Sequence, residues 1–475
     1  MERGKNNDQY KRTILFFQSV IIVALATAVF GFCWYEYYAH KMFFVTFFRR
    51  GNYAVIGTYF LVLFFFSNTY GGLKIGQLKP IEVVLSHFLS LFLSNIVAYI
   101  IVSLLAFGFV NPGVLMLGML VQMVIVTVWD LMVIRIYNRV FQPWKMLLIY
   151  GDRPAADLVY KVSERRDKYA VHDAISINEG MEVISEKIKD FQAVIIGDIS
   201  AVERNDLLKY CYANHIRAYV IPKLSDIVLM GADRIHVFDT PFLLTRGYAL
   251  SFDERFLKRA MDIILSIPLI IILSPVMLIT ALVIKLTDRG PVFYTQIRCT
   301  KDEKEYKIIK FRSMVVNAEK DGEAVLSTVN DDRITPVGRF IRATRIDELP
   351  QLFNILKGEM SFVGPRPERP ELIKTYKEEM PEFAFRNRVK AGLTGFAQVY
   401  GKYNTTPYDK LKLDLFYIEN YSLWMDIKLI LMTVKIVLKK ESTEGIGEGE
   451  KNALKEAETR DVKEVVEELK EEEHK

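Results

Sequence analysis

Four apolar stretches open the chain, at roughly residues 13–34, 53–68, 81–109 and 113–134. Each is near the roughly 20 residues that a bilayer-spanning helix needs, because lipid offers the backbone no hydrogen-bond partner and a helix satisfies it internally. Residues 1–140 therefore read as four transmembrane helices. The first stretch does not read as a cleavable signal, since no small-residue cleavage site follows it and further spans do. Basic residues Arg3, Lys5, Lys11 and Arg12 precede the first span, Lys74 and Lys79 lie between the second and third, and Arg135, Arg139 and Lys145 follow the fourth. The excess of positive charge on the inner side of membrane proteins then puts both ends in the cytoplasm, although Lys41, Arg49 and Arg50 in the first loop oppose that topology.

A hydrophobic share of 51% with 12% aromatics fits a chain partly embedded in lipid. The net charge of +5 hides an asymmetry: residues 441–475 hold 13 acidic and 6 basic side chains, so the other 440 residues carry +12. Such a body suits phosphates and anionic lipid, while the acidic tail reads as a solvated helix or a disordered segment. Cys33, Cys211 and Cys299 are far apart and odd in number, which argues against a disulfide framework or a zinc site and fits a reducing compartment.

From about Trp144 the pattern changes to short apolar runs alternating with amphipathic stretches (KMLLIYG, DLVYKVSERR, AVIIGD, DLLKYCYANH, RAYVIP). This predicts a small α/β unit with a parallel sheet over residues 144–248. Its first turn, GDRPAAD, lacks the glycines that let a dinucleotide pyrophosphate approach a helix. A structural or regulatory role suits it better than nucleotide binding.

The run 261–286 is as long as a span, yet it contains Pro268 and the pair Ser274-Pro275. Basic residues flank both ends: Arg255, Lys258 and Arg259 before, Lys285, Arg289 and Arg298 after. A straight crossing would leave one cluster outside. A bent, re-entrant helix hairpin keeps both inside, with Ser274 able to bond a carbonyl that Pro275 frees. The alternative is a fifth, proline-kinked span. Residues 288–420 read as soluble mixed α/β, and 421–440 as an amphipathic helix for the membrane interface or for the domain core.

Residues 251–440 contain no histidine, so Ser-His and Cys-His nucleophile schemes are unavailable there. Arginines and lysines instead surround a few carboxylates in KFRSM, DDRITPVGRFIRATRIDELPQ and SFVGPRPE, a composition that suits phosphate charge. In this region Asp347 and Glu348 precede Pro350 and a helical run that Gly358 should stop, so the pair falls at a helix N-terminus. An ordinary acidic cap would look the same. Arg366, held between two prolines, offers a planar fork to phosphate oxygens. Lys310 and Arg312 follow a strand-like stretch. Two YxxxK spacings, Tyr306–Lys310 and Tyr408–Lys412, lack the glycine-rich turn of a dehydrogenase.

The stretches LKRAMDIILSIPLIIILSPV, GPVFYTQIR, YKIIKFRSM, DDRITPVGRFIRATRIDELPQLFNILKGEMSFVGPRPE, GLTGFAQVYG and LDLFYIENYSLWMDIKLI resemble the bacterial sugar transferases called monotopic phosphoglycosyl transferases, or polyprenyl glycosylphosphotransferases. The resemblance covers residues 255–440, and the preceding spans and α/β unit are similar to the family's long form. It implies that Asp347 attacks the β-phosphate of a UDP-sugar, that UMP leaves, and that the phosphosugar passes to a polyprenyl (undecaprenyl) phosphate. It also implies Glu348 and Mg²⁺ as assistants, with Asp347 and Glu348 as metal ligands. Arg366, Arg312, Lys310, Arg345, Arg298 and Asp414 become phosphate or substrate residues, and Ser274-Pro275 the break of the re-entrant helix. Two departures, Cys299-Thr300-Lys301-Asp302 after the QxR motif and Ala391-Gly392 before TG, bear on local turn geometry and on which sugar is accepted.

The expectation is thus a bacterial inner-membrane, multi-pass enzyme with four transmembrane helices, a Rossmann-like module (144–248), a mixed α/β catalytic domain (255–440) and an acidic tail (441–475). Its catalytic domain faces the cytoplasm, lipid is its environment, no nucleic acid is a partner, and a homodimer is compatible. The rivals are a membrane-anchored nucleotide-sugar dehydratase or epimerase, and a non-enzymatic scaffold for polysaccharide assembly.

Overall fold

A computed structural model describes residues 8–42, 49–151, 155–163, 165, 168–316, 331–401, 405–437 and 462–473. The chain divides into two compact units, one of residues 1–221 with 455–475 and one of residues 222–454.

In the first unit, helices α1 (Asp8–Cys33), α2 (Arg49–Tyr70), α3 (Pro80–Leu105) and α4 (Gly113–Val140) correspond to the four apolar stretches. They share a buried cluster that includes Ile22, Phe30, Trp34, Tyr59, Leu91, Val102 and Val126. Their outer faces stay apolar, with Leu61, Leu104, Leu117 and Val124 exposed, as helices solvated by lipid require. Several polar side chains point inward and pair. Asn95 donates to Gln122 Oε1 (3.0 Å), Gln122 to Tyr59 Oη (2.9 Å), and His87 Nδ1 lies 2.8 Å from Asp130. With the later helix at Phe252–Thr287, five helices are long and apolar enough to cross a bilayer; this is a membrane protein.

The α/β part of the unit runs β1 (Trp144–Tyr150), α5 (Ala156–Ser163), β2 (Tyr169–Ser176), α6 (Met181–Ile188), β3 (Ala193–Ile196), α7 (Ala201–Ala213) and β4 (Arg217–Val220). The strands form one parallel sheet in the order β2-β1-β3-β4. Because side chains alternate along a strand, Leu147 and Ile149 meet α6 and α7, while Met146 and Leu148 meet α5. The sheet ends at Val220, and the next residues belong to the other unit, so the division falls at 221 rather than 248. The reason is packing: α8 (Leu224–Met230) buries Ile227 in the core of the second unit.

The second unit continues with the exposed hairpin β5 (Asp233–Val237) and β6 (Thr240–Leu244), the long helix α9 (Phe252–Asp288), and the antiparallel pair β7 (Phe293–Cys299) and β8 (Glu305–Phe311). Then come α10 (Pro336–Ala343), α11 (Gln351–Lys357), β9 (Ser361–Val363), α12 (Pro370–Glu379), β10 (Gly392–Thr394), α13 (Phe396–Tyr400), α14 (Pro407–Glu419) and α15 (Leu423–Val437). β9 and β10 pair in parallel. Its core joins Ile308, Leu352, Ile355, Phe362, Phe383, Leu415 and Leu429.

Helix α9 opens with a Ser251–Glu254 capping box and runs helically through Pro268 and Pro275. Pro275 cannot bond the carbonyl four residues back, Ile271. Ser274 Oγ donates to that same oxygen at 2.8 Å. On both sides of the prolines the outer face is aliphatic, with Ile264, Ile271, Ile272, Leu278, Ile279 and Leu282 exposed. Helix α15 sets Leu429 and the buried Asp426 against the core and leaves Trp424 and Val434 outside, so of the two roles anticipated for residues 421–440 the packing shows the one in the domain core. In the tail, residues 441–461 lie outside the described set, and α16 (Val462–Glu473) is no solvated helix: it packs on the α/β sheet of the first unit.

Candidate active site

The β7–β8 hairpin places Lys310 on the strand edge opposite Tyr294, and Arg298 opposite Tyr306. Past β8 the chain runs close under α10. A side chain at Gly338 would come within 1.9 Å of the Ser313 carbonyl oxygen, so only glycine permits this approach. Thr335 caps α10 by accepting from Gly338 N at 2.9 Å, with Pro336 in the first turn.

Between α10 and α11, Arg345 adopts φ 58°, the left-handed region, which costs a non-glycine residue roughly 1–2 kcal/mol. That reversal starts a separate 3₁₀ turn, Ile346–Glu348, which carries the carboxylate pair. The pair was expected at the N-terminus of the helix that follows. It sits one turn earlier instead, and α11 is only seven residues long. Charge stabilisation therefore comes from side chains and not from a macrodipole. Gly358 closes α11 in the left-handed conformation, as anticipated.

Glu348 Oε1 lies 2.8 Å from Lys310 Nζ and 3.6 Å from an Arg366 guanidinium nitrogen. Burial opposes its charge, but Lys310, Arg366 and Arg345 outweigh burial and hold its carboxyl well below the usual range. Asp347 is 9% exposed, and its Oδ1 has no hydrogen-bond partner. Burial, then the charge of Glu348, pushes its carboxyl up to about 6, against the pull of Lys310, Arg342 and Arg345. Adjacent carboxylates with opposed shifts mark a site where the two groups do different work. Two carboxylates with an unpartnered buried oxygen suit Mg²⁺, which usually takes one or two carboxylates plus water and substrate phosphate. No group of three metal-ligating side chains occurs among the described residues.

Arg366 is presented by the loop after β9. Gly364 N donates to Thr394 O, Gly392 N to Pro365 O, and Arg386 Nη2 to Arg366 O at 3.0 Å. Arg386 is itself buried and pairs with Asp414 at 2.8 Å and with Glu368 at 3.5 Å. Arg298 donates to Gln296 Oε1 and to Pro367 O, 3.9 Å from Glu368. The buried Arg312 lies with its guanidinium over Gly290, where a Cβ would meet it at 2.3 Å.

The structure thus brings Lys310, Asp347, Glu348 and Arg366 together. Asp414 stands behind them, bonded to Arg386 rather than set at the carboxylate pair, and Arg298 supports the far side of the Arg366 loop. Sequence reasoning missed Arg386. Nothing in FRNRVKAG distinguishes a buried arginine from a solvated one, since its partners Asp414 and the Arg366 carbonyl are 28 and 20 residues away.

A family described as bacterial sugar transferase matches residues 253–440. A UDP-N-acetylgalactosamine-undecaprenyl-phosphate N-acetylgalactosaminephosphotransferase of Aeromonas hydrophila is 39% identical over 247 residues, 51% of this chain and 57% of that protein. A UDP-glucose:undecaprenyl-phosphate glucose-1-phosphate transferase of Klebsiella pneumoniae is 40% identical over 209 residues, 43% of each chain. An undecaprenyl-phosphate galactose phosphotransferase of Salmonella typhimurium is 37% identical over 247 residues, 48% of this chain and 51% of that protein. The chain spans about half the length of these curated relatives.

Proposed function

We propose, from the match of residues 253–440 to the bacterial sugar transferase family, that this chain transfers a sugar-1-phosphate from a UDP-sugar to undecaprenyl phosphate at the cytoplasmic face of the bacterial inner membrane. The observation that carries this reading is the split between the two carboxyls: Asp347 buried with an unpartnered oxygen, Glu348 held ionised by Lys310 and Arg366.

In the first step an Asp347 oxygen attacks the β-phosphorus of the UDP-sugar. The bond from that phosphorus to the bridging oxygen breaks, and UMP leaves with the electron pair. In the second step an oxygen of undecaprenyl phosphate attacks the same phosphorus, the bond to Asp347 breaks, and the carboxylate is restored. A soluble anionic donor and a lipid-bound phosphate repel one another, so a covalent intermediate lets each occupy the site in turn. The acceptor, with a second pKa near ~6, is already largely ionised at neutral pH, which suits a site without histidine.

The raised carboxyl of Asp347 makes it a better nucleophile than an ordinary aspartate while leaving it mostly ionised above pH 6. Glu348, fixed in its charged form, holds Lys310 and Arg366 where phosphate oxygens would lie. Mg²⁺, bound by Asp347 and Glu348 together with substrate phosphate, would neutralise charge on the transferring group. Arg345 and Arg342 extend the cationic wall, and Arg312 lies over Gly290. Arg298, Arg386 and Asp414 keep the Arg366 loop in place.

The re-entrant course of α9 is supported by what each half touches. Arg259 donates to Ile355 O and Leu356 O at 2.7 Å, and Asp262 accepts from Phe362 N at 3.0 Å. Met277 and Ile284 pack with Phe311 and Ile341. A straight helix would separate residues 259 and 284 by roughly 37 Å at ~1.5 Å per residue. Yet Asn354, next to the Arg259 anchor, is itself bonded to Ile309 N, two residues from Phe311. A bent helix reaches both, which supports the re-entrant reading.

The test is incubation of the purified membrane protein with a panel of UDP-sugars, Mg²⁺ and undecaprenyl phosphate. UMP should appear, and a sugar-phosphate labelled on phosphorus should be trapped on the protein before lipid is added. A protein that releases no UMP from any common UDP-sugar would sink the proposal.

A further inference from the structure

The face of the α/β sheet that carries Met146 and Leu148 is covered by two helices of very different origin. Helix α5 follows β1 directly and contributes Ala156 and Val159. The other is α16, which lies more than 200 residues beyond the sheet and past the region matched by the family. Val462, Val465 and Val466 are 5%, 0% and 2% exposed and join Ala174, Ala193 and Ile195 in one cluster. Their i, i+3, i+4 spacing puts them along one edge of the helix. Glu464, Glu467 and Glu468 face outward, and Lys463 pairs with Glu179 at 3.0 Å.

Two features limit the strength of this docking. The described anchor is small, three valines for twelve residues that must be ordered together. The helix is also a poor one in isolation, since helices of this length are marginal in water, and the like charges Glu464 and Glu468 stand one turn apart. It forms because the sheet face is there to receive it. Its attachment to the same chain raises its local concentration enough for a weak site to be filled. Docking also closes the chain on itself, which leaves the first unit at Ile221 and is again packed on it at Val462.

We propose that this face of the α/β module is a docking site for an amphipathic helix, and that its occupant is the chain's own C-terminal helix, bound reversibly in cis. The module, with no glycine-rich turn for a nucleotide, acts as the receptor for the tail. This is the helix-in-groove mode of recognition with a tethered ligand.

The test uses the full chain in nanodiscs and a double variant, Val465→Asp with Val466→Asp. Amide hydrogen exchange over 462–473 in the intact chain should be at least tenfold slower than in a free peptide of residues 455–475. In the double variant it should match the free peptide, while α1–α4 keep their protection. A fluorescent wild-type peptide should then bind the double variant, whose own tail is undocked, at least tenfold more tightly than it binds the wild-type chain. A peptide carrying both aspartates should bind neither. The proposal is overturned if the tail exchanges as fast as the free peptide in the intact chain. It is overturned equally if the two peptides bind alike, which would leave only attraction between an acidic peptide and a basic body. Protection that disappears on dilution would place the tail on a second copy and overturn docking in cis.

Discussion

Replacing Asp347 by Asn should abolish transfer and at the same time make the protein more stable at neutral pH. Burial and the neighbouring Glu348 raise the Asp347 carboxyl from its ordinary 3.8 to about 6. At 1.36 kcal/mol per pH unit this costs the folded state at most about 3 kcal/mol once the group is ionised. The folded form holds the proton more tightly than the unfolded one, so stability falls as pH rises from about 4 to about 6 and stays lower above that. Asparagine never ionises and escapes the penalty. For a unit of this size, about 1 kcal/mol moves Tm by roughly 2–4 °C, so Asp347→Asn should melt up to about 6–12 °C higher at pH 7.5, and the gap should close near pH 4. Thermal melts of the detergent-purified protein at the two pH values, read by intrinsic fluorescence, measure this, with UMP release as the companion assay. A Tm equal to or below that of the wild type at pH 7.5 would refute the strained-carboxylate argument, even if activity were lost as expected.

Three other outcomes follow from the same geometry. The rate of UMP release should drop about tenfold per pH unit below about 6, because Asp347 must be ionised to attack; Glu348→Gln removes the adjacent negative charge and should shift that limb to lower pH, and a limb that does not move denies the coupling between the pair. Arg386→Met strips the buried partner from Asp414 and frees the carbonyl of Arg366, so kcat/KM should fall roughly 10- to 100-fold, about 1.4–2.7 kcal/mol, while Arg386→Lys, with no planar fork, should recover little of it; wild-type kinetics in Arg386→Met would remove Arg386 from the site's support. Single cysteines at positions 255 and 289 should react with a membrane-impermeant thiol reagent from the same side of the membrane if α9 turns back, and from opposite sides if it crosses.

The local chemistry of the site was legible in the chain because it is written in neighbouring residues. Asp347 next to Glu348, Arg366 between two prolines, Ser274 before Pro275 and Gly358 after an apolar run each announce a local constraint, and each has a local physical role. Even so, the left-handed Arg345 was invisible, and it moves the carboxylate pair off the helix and onto its own turn. Long-range pairing was equally hidden. Asp414 reads from the sequence as a substrate residue, in the fold it is bonded to Arg386, and no periodicity links positions 386, 414 and 366.

What the sequence alone determined about this protein is what depends on short range: the apolar lengths that make helices fit for lipid, the alternating runs of the parallel sheet, and the acids and bases of the site. Only the tertiary structure decided where two distant segments belong. Residues 224–230 and the acidic helix 462–473 each carry a small apolar edge that could pack on any core. Which core receives it depends on a complementary face built from residues far away in the chain, and nothing within either segment encodes that face.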